Sequence, residues 1–100
     1  MLNPAYVRYD EVDKNPMKRD VVISQIVRVL SPYLGANMAA ASARAHCEKL
    51  GIAGDVISAE QTEALIGKLG MGLSVFVGRE KSKAVVAEIR KAVAPARPGA

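Results

Sequence analysis

The stretch "PYLGANMAAASARAHCEKLG", residues 32–51, constrains the fold of this 100-residue chain more than any other. Six of residues 36–45 are alanine, which gives up no side-chain entropy on entering a helix, so this segment is helical. Leu34, Met38, Ala41, Ala45 and Leu50 recur at helical spacing and are expected to form its inward face. Gly51 follows as a residue able to take the left-handed conformation that ends a helix. Short side chains make such a helix thin, so a neighbour can lie close against it. The rest of the composition agrees. Alanine and valine dominate the apolar half of the chain, Phe76 is the one phenylalanine, tryptophan is absent and aromatics total 4%. Small aliphatic side chains suit closely approaching helices better than a sheet built on aromatic cross-strand pairs.

Three further segments carry a helical period. "DVVISQIVRVLS" sets Val22, Ile23, Ile26, Val27 and Leu30 on one stripe, with Asp20 as the expected N-cap. Ser31-Pro32 is expected to close that helix and open the alanine-rich one, because proline at a first helical position lacks only an N–H that would be unpartnered anyway. Ser58 and Gln61 fit a capping box and start a third helix through Thr62, Leu65, Ile66 and Leu69. In "REKSKAVVAEIRKAV", Val85, Val86, Ile89 and Val93 face inward. The expected fold is therefore all-α, a compact bundle of four main helices near 20–31, 32–50, 59–77 and 79–93. These form a single helical domain over residues 20–93. An extended N-terminal arm over residues 1–19, with Pro4, Pro16 and the acidic cluster Asp10, Glu11 and Asp13, precedes it. A proline-rich tail over residues 94–100, expected to be disordered, follows.

"GKLGMGLSVFVGREK", residues 67–81, tests whether the chain cradles phosphate. A P-loop needs Ser or Thr after Gly-Lys, and Leu69 follows Gly67-Lys68. A dinucleotide fingerprint needs a third glycine where Val75 stands, and a strand where a capped helix precedes. Gly67, Gly70, Ser74 and Gly78 fall instead on one helical face, suited to close helix packing or self-association. Each interior glycine costs about 1 kcal/mol relative to alanine, so a bend or short break is expected near Gly70–Gly72. Residues 73–77, "LSVFV", have a short strand as the alternative to helix.

The net charge of +4 resides entirely in residues 79–100, where six basic residues oppose two acidic ones; the other 78 residues hold eight of each. Arg79, Lys83 and Arg90 fall roughly along one helical face, with Lys81 and Lys91 on another. These five are the candidate contacts to an anion or to nucleic acid. No aromatic side chain interleaves them, and Arg90 and Lys91 also suit the negative end of a helix dipole.

Little else suggests chemistry. His46 and Cys47 are the sole residues of their types and, one apart on a helix, point about 100° away from each other. Cys47 is read as a small buried apolar residue, and His46 stands four after Ser42, within hydrogen-bonding reach. One cysteine excludes an intrachain disulfide, and no spacing suggests a metal site. The acidic cluster lacks the glycine and downstream glutamate of a calcium loop. A non-enzymatic protein with no cofactor is expected. The N-terminus lacks an apolar signal region and no apolar run reaches the length of a membrane span, so the expected location is cytoplasmic, with no membrane partner.

"LSPYLGANMAAASARAHCEKLGI", followed by "LIGKLGMGLSVFVGREKSKAVVAEI", resembles small helical domains at the ends of bacterial signalling proteins, including serine/threonine kinases and two-component regulators. In those domains a helix ends in a step of proline, an aromatic or aliphatic residue, leucine or isoleucine, and glycine, runs into an alanine-rich helix with basic residues and is followed by two more helices. The likeness covers about residues 20–93. It departs after the glycine, where a further proline is usual and Ala36-Asn37 stands here. It implies a bacterial regulatory or interaction module and brings no catalytic or ligand residue. The leading expectation is a non-catalytic protein-interaction module whose partner is another protein or a second copy. A basic nucleic-acid-binding protein using the last helix is the alternative.

Overall fold

The computed structural model describes residues 17–94. Four helices, α1 (Arg19–Leu34), α2 (Ala36–Lys49), α3 (Ala59–Val77) and α4 (Arg79–Val93), form an all-α bundle. Helix α1 packs against α2 and α4, and α3 packs against α4 and α2, so the four close a ring around one core. Residues 1–16 of the expected arm and residues 95–100 of the expected tail lie outside the described residues.

The last residues of the expected arm do more than extend. Strand β1 (Met17–Lys18) pairs antiparallel with β2 (Val56–Ile57), in the α2–α3 loop, with Met17 opposite Ile57. Met17 and Ile57 are both buried, and the Arg19 N–H donates to the Asp55 carbonyl at 2.9 Å. This pairing carries the chain straight into α1, which begins at Arg19 with Lys18 in the N-cap position. Asp20, expected as the cap, therefore sits inside the first turn, where its carboxylate still faces the positive end of the helix dipole. Val22, Ile26 and Leu30 are buried as the periodicity predicts, Val29 joins them, and Ile23 and Val27 pack at the edge.

The boundary between the first two helices lies three residues beyond Ser31-Pro32. Helix α1 runs through Pro32, and the corner is Gly35, at φ +86°. Pro32 falls in the final turn, where a missing N–H removes one hydrogen bond and nothing downstream depends on it. The Ser31 hydroxyl donates back to the Val27 carbonyl at 2.6 Å instead of capping α2. Only glycine takes this left-handed, extended corner without a Cβ penalty, so the glycine rather than the proline sets the break.

The inward face of α2 is also rotated from expectation. Ala39, Ala43 and Cys47 are fully buried, whereas Met38, Ala41 and Ala45 are exposed and Leu34 and Leu50 half-buried. An alanine-rich helix has little contrast between its faces, and the position of its neighbours chose the side. The helix ends as predicted: Gly51 is at φ +72°, the Ile52 N–H reaches the Cys47 carbonyl at 2.8 Å and the Gly51 N–H that of Glu48 at 3.1 Å.

Helix α3 opens with the predicted capping box. The Gln61 N–H donates to Ser58 Oγ at 3.0 Å and the Ser58 N–H to Gln61 Oε1 at 2.9 Å. The helix then continues unbroken through Gly67, Gly70 and Gly72 to Val77, so the break expected near Gly70–Gly72 is absent and residues 73–77 are helix, not strand. Burial of Leu65, Ile66, Leu69 and Leu73 on one side outweighs the low helix propensity of the glycines. One of those glycines is required by packing. A Cβ at Gly70 would stand 2.7 Å from Val86 Cγ2, and the buried Ser82 hydroxyl donates to the Gly70 carbonyl at 2.7 Å. Gly67 and Gly72 face open space. In α4, Val85, Ile89 and Val93 are buried as expected, with Val86 at the edge.

This difference among glycines is measurable by urea denaturation. Gly67→Ala and Gly72→Ala are each expected to stabilise the domain by up to about 1 kcal/mol. Gly70→Ala is expected to destabilise it, because overpacking costs about 1–3 kcal/mol and outweighs the propensity gain. A Gly70→Ala domain as stable as Gly67→Ala would disprove the close approach.

Candidate interaction surfaces

Two sets of residues that stand apart in the sequence meet between α3 and α4. The antiparallel pair leaves an open groove of about 440 Å³. Gly67, Gly70 and Ser74 of α3 line it, together with Arg79, Lys83 and Arg90 of α4. Met71, Ser82 and Val86 complete its walls. Three of the four residues of the predicted small-residue face and three of the five predicted cations thus share one surface. Gly78, the fourth small residue, is the single-residue corner between the helices at φ +88°, and its N–H donates to the Ser74 carbonyl at 2.9 Å. Lys81 and Lys91 are exposed and do not line the groove.

Arg90 is positioned by α3. Its Nη2 lies 3.0 Å from Glu63 Oε1 and its Nε donates to the same oxygen at 3.1 Å. Both side chains are about half exposed, so the pair contributes at most about 1 kcal/mol. Its effect is mainly geometric, because it fixes the guanidinium at one end of the groove. Glu63 and its pairing with Arg90 carry no sequence signal: positions 27 apart become neighbours only when α3 and α4 pack.

A second surface follows the α2–α3 seam, which the core leaves partly open. An opening of about 470 Å³ is lined by His46, Lys49, Leu50, Lys68, Met71 and Gly72. A smaller one of about 70 Å³ reaches Leu34, Ser42, His46, Gly72 and Phe76. Met71, which lines the larger opening, is 69% exposed, and Phe76, which lines the smaller, is 64% exposed; Val75 of the same helix is 83% exposed. Met38, one turn before Ser42 on α2, is 48% exposed. Sequence periodicity misses this surface because it assigns Met38 to the interior.

Cys47 is fully buried, and burial pushes its thiol above the usual range while the nearby Arg19 guanidinium draws it part of the way back. His46 is half-buried beside Ser42, without a hydrogen bond between the two side chains. Burial first, then Lys49 and Lys68, lowers its pKa from the ordinary value. Among the described residues, no group of three or more His, Cys, Asp or Glu side chains is placed to hold a metal ion, and no helix is long and apolar enough to cross a membrane. The chain matches no known protein family, and comparison with curated proteins and with solved structures finds no match.

Two measurements check these environments. His46 binds its proton more weakly folded than unfolded, so its contribution to stability is complete above the unfolded value near 6.5. That contribution is lost as pH falls through the lower, folded value. The stability difference between wild type and His46→Gln should therefore shift in favour of the variant as pH drops below about 6.5, and parallel curves would refute the assignment. Cys47 should react with a thiol reagent only at the rate of unfolding, and rapid labelling of the native protein would show that the α1–α2 contact opens locally.

Proposed function

We propose that this chain is a non-catalytic protein-interaction module that binds through its α2–α3 face. The observation that carries the reading is the exposure of Met71 and Phe76, which line an incompletely filled seam, together with exposed Met38 and Val75 on the same two helices. Apolar surface removed from water contributes about 25 cal/mol per Å², and contiguous exposed patches mark contact sites in soluble domains. Two of the four are methionines, whose flexible thioethers adapt to irregular partners. The exposed alanines Ala41 and Ala45 keep the α2 side low, so a partner helix can lie close. The resemblance to the end domains of bacterial signalling proteins supports a bacterial regulatory setting, in the cytoplasm.

Nucleic-acid binding through α4 is the second reading. It draws on Arg79, Lys81, Lys83, Arg90 and Lys91, of which only three share a groove. The two readings separate on salt, because phosphate contacts release counterions and weaken steeply as salt rises, whereas an apolar interface does not.

Sedimentation equilibrium at micromolar protein, in about 50 and 500 mM salt and with or without a DNA duplex, tests this. A dimer that persists in high salt, ignores the duplex and dissociates in Phe76→Glu is the expected outcome. A monomer that binds duplex in low salt and releases it in high salt would overturn the proposal. A monomer indifferent to both would direct the search to a different protein partner.

A further inference from the structure

We infer that the α3–α4 groove is a second binding site, and that its occupant is an amphipathic helical segment of a protein partner with carboxylates along one flank. The two walls of the groove differ in chemistry. Arg79, Lys83 and Arg90 stand on the α4 side, with Arg79 and Lys83 one turn apart and Arg90 two turns further along the same face. The α3 side and the floor are small or apolar, supplied by Gly67, Gly70 and Met71, with Val86 beneath. Among the described residues, Glu63, paired with Arg90, is the one carboxylate drawn to this face; Glu80 and Glu88 of α4 lie off it. Three cations against one carboxylate leave the groove positive, and neither Arg79 nor Lys83 has an ion-pair partner among the described residues.

Gly67 makes room for such an occupant. A Cβ placed there meets nothing within 4 Å, so the space above it is open to solvent rather than filled by α4. A side chain from a docking helix can enter beside Met71 and Val86 while carboxylates at matching helical spacing meet the cations on the α4 wall. This charge pattern, all on one flank of an apolar floor, selects an acidic amphipathic helix over a nucleic acid. A phosphate backbone has no use for the apolar floor, and among the described residues no aromatic side chain lines the groove on which a base could stack. The site shares only Met71 with the α2–α3 face, so either proposal can fail while the other stands.

The test is fluorescence anisotropy on the full chain with a labelled helical peptide of about four turns, bearing leucines on one stripe and glutamates on one flank. The controls are the same peptide with lysine in place of glutamate, and a mixed-sequence DNA duplex. The glutamate peptide is expected to bind at least about tenfold more tightly than the lysine peptide. Combined Arg79→Glu and Lys83→Glu should weaken it about tenfold or more. Gly67→Leu, which fills the opening without changing charge, should weaken it by about fivefold or more. Circular dichroism on each variant confirms that these exposed positions leave the fold intact, and Glu48→Lys, exposed on α2 and outside the groove, should leave peptide affinity unchanged. Three results would overturn the proposal. One is no saturable binding of the glutamate peptide. Another is binding that Gly67→Leu leaves untouched. The third is tighter binding of the duplex, abolished by the charge reversals alone, which would assign the cations to phosphate.

Discussion

The absence of a side chain at Gly70 governs the arrangement of this domain's second half. Because Val86 Cγ2 occupies the place a Cβ would need, α4 lies directly against the backbone of α3. The Ser82 hydroxyl, buried between the two helices, answers the Gly70 carbonyl and fixes their register. A buried hydroxyl satisfied across the interface favours one alignment, since a slide along the helices would cost it this partner. Gly78 closes the pair in a single residue at a backbone angle that favours glycine. Once this register is set, Gly67 and Ser74 must face Arg79 and Lys83, and Glu63 must come beside Arg90.

Helix α3 consequently serves three environments. Leu65, Ile66, Leu69 and Leu73 anchor it in the core, Gly67, Gly70 and Ser74 turn to the α4 groove, and Gly72 and Phe76 turn to the α2 seam. The core side supplies enough burial to keep the helix intact despite three interior glycines, which leaves its other sides free to be shaped by small residues. The two surfaces differ in character for the same reason. The groove takes its charge from α4, where the chain's excess of basic residues lies, while the seam takes Ser42, His46 and Lys49 from α2 and Met71, Gly72 and Phe76 from α3.

Most of the fold was legible in the sequence, and the exceptions share a cause. The stripes of α1, α3 and α4 combine large aliphatic residues with polar ones, so the contrast between faces is strong and the buried side could be read directly. Local hydrogen-bond chemistry was equally readable at Ser58–Gln61 and at Gly51. The reading failed in α2, where alanine on every side gives no contrast, and at Pro32, where a strong local signal yielded to Gly35. It also failed at Gly70–Gly72, because a propensity near 1 kcal/mol per residue is small against the burial of several leucines. The strand pair of Met17–Lys18 with Val56–Ile57 is two residues long and carries no periodicity at all.

For the surfaces, the sequence by itself determined the ingredients: a face of small residues on the third helix, a face of cations on the fourth and, from residue type, a small buried apolar role for Cys47. These follow from helical spacing and side-chain type, which are local properties. Only the tertiary structure decided that the two faces oppose each other across one groove, that Glu63 holds Arg90, and that Met38 and Phe76 stand in solvent. Which way a helix turns, and which neighbour it meets, depends on contacts between residues far apart in the chain. Those contacts are fixed here by a missing Cβ, a buried hydroxyl and two glycine corners.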